Sequence, residues 1–495
     1  MLAQTIQSLS EMLQPNIIFI YLIPSVVLGL TLGFLPGLAG VTGMIMLLPY
    51  VPKMPLLGCM VCMLSLASVS VTGGTITSII FGIPGTGANA ATILDGHPLA
   101  EQGQAARALG AALFASPMGG VFGALILYLL IPVVKPIVLL LGPPEFFFLI
   151  VLGIACIALI GSSGAGGMLK GVTAGGLGLL ISLVGGDVVT GQQRFTLGTS
   201  YLQDGLTIHV MALGLFAIAE IISMLKANKA IAKTEVRKIS LAEVFQGGKE
   251  VFTKWKTFLV GSIAGVIVGI IPGIGANVGS WVAYAMGKKF SKNPETFGSG
   301  NIEGVIAPEA ANNATEGGSL LPTVAFGIPG SVSAAIVLAT LMMRGVPTGP
   351  RLFLSNPGLI YSMIWIVIIS NIICAIICIF FAPHLARLTF LRPSTLVPIL
   401  LSLVAIGAIG GRGQILDLFM VIIIGVFGYL MRTFGYSRPA LLVGFMLGKE
   451  AERNLQLSLQ SIGPYFYLRP ICIVLVVLIL FLIIWSVRKT PEKAL

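Results

Sequence analysis

The segment EGVIAPEAANNATEGGSLLPTVAFGIPG, Glu303 to Gly330, places three carboxylates and two adjacent asparagines inside strongly apolar sequence. A helix opening at Pro308 puts Glu309, Asn312, Asn313 and Glu316 on one face and alanines on the other. Carboxylates and carboxamides in such a setting can hold a cation, pass a proton or orient a polar solute. They are costly there, since an ionisable group at the bilayer centre costs about 2.5–3.5 kcal/mol on insertion scales. The plainer reading is a solvated loop in which Glu309 merely caps a helix. Gly317-Gly318 reads as the end of that helix, and an apolar half-span runs from Ser319 to Ile328. Pro329-Gly330 breaks the run, and a second half-span extends from Ser331 to Met343.

A related stretch lies earlier in the chain. Gly73, Gly74 and Thr75 close a hydroxyl-rich segment, Pro84-Gly85 interrupts the next apolar run, and Thr86, Asn89 and Asp95 follow. A helix broken inside a membrane leaves N–H groups free at one half-helix start and carbonyls free at the other end. The amide end, with its dipole, attracts an anion, and the carbonyls attract a cation. The expected anion donors follow Pro84-Gly85 and Pro329-Gly330, with side chains from Thr86, Asn89, Ser331 and Ser333. Asn312 and Asn313 support them. The expected cation group comprises Thr75, carbonyls near Gly73, Gly74, Gly317 and Gly318, and Glu309 as the coupling carboxylate. Asp95 and Arg107 flank the first hairpin, and Arg344 ends the second. A surface or snorkelling role suits them as well as contact with substrate.

The rest of the chain must position these groups. Of its 495 residues, 56% are hydrophobic and only 9% charged, with a mean hydropathy of +1.00. Soluble domains carry about 25% charged residues, so this is an all-α polytopic membrane protein, with about 10–12 spans by length. The net charge of +11 lies mainly in short segments between apolar runs. The positive-inside rule explains it, and nucleic acid is not an expected partner. Four regions follow: a first transmembrane repeat over 1–225, a basic cytoplasmic linker over 226–256, a second repeat over 257–487 and a basic cytoplasmic tail over 488–495. The N-terminal segment lacks Lys and Arg, which argues against a signal peptide and for an outward-facing start.

Several patterns are set aside. Cys59-x-x-Cys62 and the pair Cys374 and Cys378 lie in apolar runs without nearby histidine, so packing explains them better than metal or redox chemistry. Gly161-Ser162-Ser163-Gly164 matches the nucleophile pattern of intramembrane serine proteases, with His209 on a later span. Such a tetrad is expected by chance in a chain with 62 glycines. No phosphate-binding G-x-x-x-x-G-K-[ST] loop appears.

Two Pro-Gly motifs recur in order. Gly33-Phe-Leu-Pro36-Gly37 is matched by Gly269-Ile-Ile-Pro272-Gly273. Gly73-Gly74 with Phe81-Gly-Ile-Pro84-Gly85 is matched by Gly317-Gly318 with Phe326-Gly-Ile-Pro329-Gly330. Leu447-Gly448 echoes Leu197-Gly198. A period of about 240 residues is too long for a solenoid and reads as one duplicated domain.

With these residues in view, the chain resembles the large membrane subunit of the tripartite tricarboxylate transporters, the TctA family. GFLPGLAG (33–40), Gly73–Asp95 with HPLAEQG beyond it, GIIPGIGA (269–276), FGSGNIEGVIAPEAANNATEGG, LPTVAFGIPGS and GVPTGPRLF carry the likeness. It runs over about 20–487. Glu316 stands where the family usually has a small residue, and Val332-Ser333 replaces an Ala-Thr-type pair, which bears on the anion accepted. The resemblance implies an ion-transporter-superfamily fold with inverted repeats, re-entrant hairpins and elevator motion. It implies a small four-span membrane subunit and a periplasmic solute-binding protein as partners, in a bacterial inner membrane. The expected function is carboxylate uptake coupled to a sodium (Na+) or proton gradient, without catalysis or a cofactor. A passive anion channel and a non-transporting membrane scaffold are the alternatives.

Overall fold

The computed structural model of the protein describes residues 2–34, 40–160, 167–187, 190–227, 240–273, 275–385 and 393–488. The described residues are overwhelmingly helical. Their one β pairing is a two-residue antiparallel ribbon with Gly185 opposite Arg194 and Gly186 opposite Gln193.

Ten helices frame the centre: α1 Ile23–Phe34, α2 Leu56–Phe81, α3 Ala90–Glu101, α4 Ala105–Leu139 and α5 Leu241–Thr253, then α6 Trp255–Ile270, α7 Gly275–Phe290, α8 Glu303–Phe326, α9 Val332–Met343 and α10 Pro357–Leu385. Among the described residues, five helices are long and apolar enough to cross a membrane alone, and α5 with α6, bent by 77°, makes a sixth. The expected 10–12 crossings are not met by whole apolar helices. Shorter apolar helices make up part of the remainder. So does α8, whose 24 residues span about 36 Å at 1.5 Å each but carry carboxylates. Large apolar side chains such as Ile422, Ile423 and Val426 remain exposed and form the surface that lipid would cover.

The innermost helices are α2 and α8. Every residue from Glu303 to Ala325 is buried, and α8 packs most extensively on α4 and α6. Small residues allow this approach. A Cβ added at Gly261, Gly265 or Gly269 of α6 would overlap the carbonyl of Ala307, Ala311 or Thr315, and one at Gly119 would overlap that of Ala310. Helices in lipid gain little from hydrophobic burial against each other, so close backbone packing through small residues has to hold them. We expect Gly265→Val to abolish folded protein, and Gly265→Ala to cost about 1–3 kcal/mol, read as detergent-solubilised yield and unfolding temperature.

The sequence reading ends the polar helix at Gly317-Gly318. The structure corrects this. Both glycine pairs lie in mid-helix, where they serve helix crossings. A Cβ at Gly73 would meet Leu30 O at 2.6 Å and Gly33 Cα at 3.2 Å, and one at Gly318 would meet Val266 O at 2.5 Å and Gly269 Cα at 3.2 Å. The same crossing thus occurs in each half, with Gly73 corresponding to Gly318 and Gly74 to Ser319. This register is one residue away from a pairing of the two glycine pairs.

The helix ends lie further on. α2 stops at Gly82 (φ +64°) and α8 at Gly327 (φ +70°), both left-handed and therefore suited to glycine. Each is followed by Ile-Pro-Gly and a 12-residue helix, α3 or α9. At 1.5 Å per residue such a helix covers about 18 Å, half a span.

Two further expectations change. Leu197 and Gly198 form an exposed loop with positive φ, whereas Leu447 and Gly448 lie inside a long helix, so they are not counterparts. Part of the linker is a helix, since α5 packs along the start of α4 and Glu250 pairs there with Arg107.

Candidate functional site

Helix starts from both halves meet at a cavity of about 620 Å³, which Pro84, Gly85, Pro329 and Gly330 back without lining it. Thr86, Gly87 and Ala88 approach it from the first hairpin and Ser331, Val332 and Ser333 from the second. Gly40, closing GFLPGLAG, and Gly273 and Gly275, from GIIPGIGA, complete the floor. The turns are tied together, as the Gly273 amide donates to Gly330 O at 3.0 Å. Glycine is required where the returning chain crosses its own helix. A Cβ at Gly85 would overlap Gly74 Cα of α2, and one at Gly330 would meet Ser319 O of α8 at 2.6 Å.

The two hairpin tips present similar chemistry. In the second, Ser331 caps α9 by accepting from the Ala334 amide at 3.1 Å, leaving the Val332 and Ser333 amides without intrahelical acceptors. In the first, Asn89 Oδ1 accepts from the Thr86 amide at 3.3 Å and from its hydroxyl at 2.7 Å. The Thr86 donors therefore turn inward, and the free amides of that tip narrow to Gly87 and Ala88.

Asn89 joins this tip to a buried carboxylate. Its Nδ2 donates to Val71 O at 3.0 Å, Thr75 Oγ1 at 2.9 Å and Glu309 Oε1 at 3.4 Å. Glu309 also accepts from Thr75 Oγ1 at 2.7 Å and Thr92 Oγ1 at 2.6 Å. Its side chain is 0% exposed, and among the described residues it forms no ion pair. A carboxylate from the second half is thus held entirely by neutral donors from the first. Thr92 carried no distinguishing signal in the sequence, because the link joins distant parts of the chain.

The asparagines lie elsewhere. Asn313 Nδ2 donates to Thr72 Oγ1 at 3.0 Å and Asn371 Oδ1 at 2.8 Å, in a polar seam among α2, α8 and α10. Asn312 is fully buried, and among the described residues neither amide atom has a hydrogen-bond partner. Neither lines the cavity. The carbonyls expected to be free at the glycine pairs belong to unbroken helix, and Gly74 O additionally accepts the hydroxyls of Thr77 and Ser78 at 2.9 Å. The helix-end basis for a cation role of Gly73, Gly74, Gly317 and Gly318 is therefore removed.

Asp95 is fully buried rather than in a surface turn. Its Oδ1 accepts from the amides of Gly298, Gly300 and Asn301 at 2.8–2.9 Å, and its Oδ2 from Tyr284 OH at 2.8 Å. It fastens α3 to α7 and to the turn before α8. Arg344 donates to Pro52 O at 2.8 Å, away from the cavity. The Gly161–Gly164 tetrad lies outside the described residues, and His209 is buried at 3% exposure.

Sequence reasoning missed one wall. Arg432 at the end of helix Ile415–Thr433, Tyr436 in the turn after it and Arg438 at the start of helix Arg438–Ser461 line the cavity, as does Asn277 of α7. Arg432 pairs with Glu220 at 2.7 Å, and the Arg438 guanidinium lies 5.3 Å from the Phe216 ring centroid. Two basic groups beside free helix-start amides attract an anion. The available signal was an Arg-Tyr-Arg cluster between apolar runs, which alone reads as a membrane-surface loop.

Comparison with known proteins supplies the family. The description "Tripartite tricarboxylate transporter TctA family" matches residues 19–443. The chain is 32% identical over 388 residues, 78% of its length and 75% of the relative's, to "Uncharacterized 52.8 kDa protein in TAR-I ttuC' 3'region" of Agrobacterium vitis. It is 30% identical over 177 residues, 36% of its length and 73% of the relative's, to "Uncharacterized protein in TAR-II ttuC' 3'region" of the same organism. No solved structure matches. This multi-pass membrane protein belongs to the tripartite tricarboxylate transporter TctA family, a family of transporters rather than enzymes.

Proposed function

We propose that the protein is the transporting subunit of a secondary carboxylate uptake system of the bacterial inner membrane, coupled to a sodium or proton gradient. A periplasmic solute-binding protein delivers the substrate, and a small four-span subunit accompanies the chain. The observation that carries this reading is the meeting of both hairpin tips and two arginines at one cavity. The Gly87, Ala88, Val332 and Ser333 amides bind a carboxylate in the manner of helix N-termini, and Arg438 adds charge.

Glu309 is the coupling group. Ionised, buried and without a basic partner, a carboxylate is several kcal/mol unstable even with good donors. A proton or a cation removes that cost. The carboxylate and the hydroxyls of Thr75 and Thr92 are hard oxygens, the donor type a sodium ion takes, so the set fits either coupling ion. Asn89 connects it to the tip that receives the anion. The recurring glycine crossing and the paired left-handed helix ends support duplication, and with it an inverted-repeat, elevator-type arrangement.

The test is uptake of labelled carboxylates into proteoliposomes containing both membrane subunits, with the binding protein outside. Accumulation above equilibrium under one imposed gradient, abolished by the matching ionophore, is the expected result. Equilibration without accumulation under either gradient would indicate a passive channel, and no uptake a scaffold.

A further inference from the structure

The two long helices behind the hairpin tips face the cavity with different side chains at one matched position. Counted back from the left-handed glycines Gly82 and Gly327, Val71 and Glu316 occupy the same place on α2 and α8, and both line the cavity. Counted forward, Thr86 and Ser331 correspond, and each opens a half-helix whose first residues line the same space. Two similar anion-binding tips therefore enclose a cavity with an isopropyl group on one side and a carboxylate on the other.

Glu316 is poorly satisfied by its own protein. Ser333 Oγ lies 3.1 Å from Oε1 and 2.9 Å from Oε2, and also 2.9 Å from Ser331 Oγ. One hydroxyl hydrogen serves one bond well, so the carboxylate retains acceptor capacity. Among the described residues no basic group pairs with it, as Arg432 is engaged by Glu220 and Arg438 donates to Leu215 O at 3.2 Å. Yet Glu316 is only 9% exposed, and its accessible edge is the cavity. A bare carboxylate ligand would bring acceptors to an acceptor.

We propose that Glu316 is a specificity-determining residue that selects carboxylates carrying a hydrogen-bond donor, a hydroxyl or an ammonium group, over the unsubstituted acid. This rests on the carboxylate-uptake reading. The amides of the tips hold the carboxylate, and Glu316 accepts from the donor. An acid without one leaves a partly buried carboxylate unpaired, a loss that discriminates strongly against the deficient ligand.

Matched acids test it: succinate against malate and aspartate, and tricarballylate against citrate, as competitors of labelled uptake in the proteoliposome system. The wild type should prefer the donor-bearing member by about 10–100-fold, the range for a hydrogen bond to a charged group. Glu316→Val, which copies the first half, should erase the preference while uptake of the bare acid persists. Glu316→Gln keeps an acceptor oxygen without the charge, so it should spare a preference for hydroxyl and remove one for ammonium. Equal competition within both series in the wild type, or unchanged ratios in both variants, would overturn the inference. So would a raised sodium requirement shared equally by all acids, which would make Glu316 a coupling-ion ligand and leave carboxylate uptake standing. Absence of any gradient-driven carboxylate uptake in the wild type would instead overturn the reading beneath it.

Discussion

Glu309→Gln is expected to lower accumulation of substrate against its gradient sharply while leaving exchange of substrate across the membrane largely intact. Glutamine keeps the shape and one acceptor oxygen for Thr92, whose hydroxyl lies 2.6 Å from Oε1, while its amide nitrogen replaces Oε2 and donates to Thr75 Oγ1, 2.7 Å away. It removes the charge that a proton or sodium ion would neutralise, so the site behaves as though permanently loaded. Coupling between two sites is worth about 1–3 kcal/mol, and its removal should lower gradient-driven uptake about 5–150-fold. Accumulation and counterflow measured on the same proteoliposomes separate the effects. Normal accumulation by Glu309→Gln would remove Glu309 from coupling. Glu309→Ala is the less informative variant, because it strips the buried Thr92 hydroxyl of its acceptor and Thr75 of its shorter one.

Asn89→Ala should be nearly as severe, and for a different reason. Asn89 is fully buried. It accepts from Thr86 at the tip and donates towards Val71, Thr75 and Glu309. Loss of one neutral hydrogen bond costs about 0.5–1.5 kcal/mol, and of one to a charged group about 1.5–3 kcal/mol. Uptake should therefore fall on the order of 100-fold, with weaker apparent substrate affinity and weaker coupling-ion dependence together. Asn89→Asp should not rescue it, since a second carboxylate would then lie against Glu309. If substrate affinity fell while ion dependence stayed unchanged, Asn89 would belong to the tip alone.

Much of this site was legible in the chain, for identifiable reasons. Phe81-Gly-Ile-Pro84-Gly85 and Phe326-Gly-Ile-Pro329-Gly330 are local signals, and the helices do end at their glycines, Gly82 and Gly327. The helical spacing of Glu309, Asn312, Asn313 and Glu316 placed all four on one buried helix. The paired glycines misled because glycine ends helices in solvent but permits close helix crossings in a membrane bundle. Gly73 against Leu30 and Gly318 against Val266 are of the second kind. Contacts between halves, such as Glu309 with Thr92 or Asp95 with Gly298, Gly300 and Asn301, leave no trace in local spacing. The arginine wall was hidden for a similar reason. Arg432 and Arg438 follow a span, where basic residues are ordinary, and only the tertiary fold turns them towards the hairpin tips.

The central claim is that both hairpin tips contact one bound substrate molecule. Single cysteines at Ala88 and Ser333, one on each tip, can be placed in a background with the six buried native cysteines replaced. The rate at which a hydrophilic thiol reagent modifies each should then be measured with and without a transported carboxylate. The account predicts that the substrate slows modification at both positions over the same concentration range, and that modification of either blocks uptake. Protection at one tip only, or uptake that survives modification of both, would contradict it.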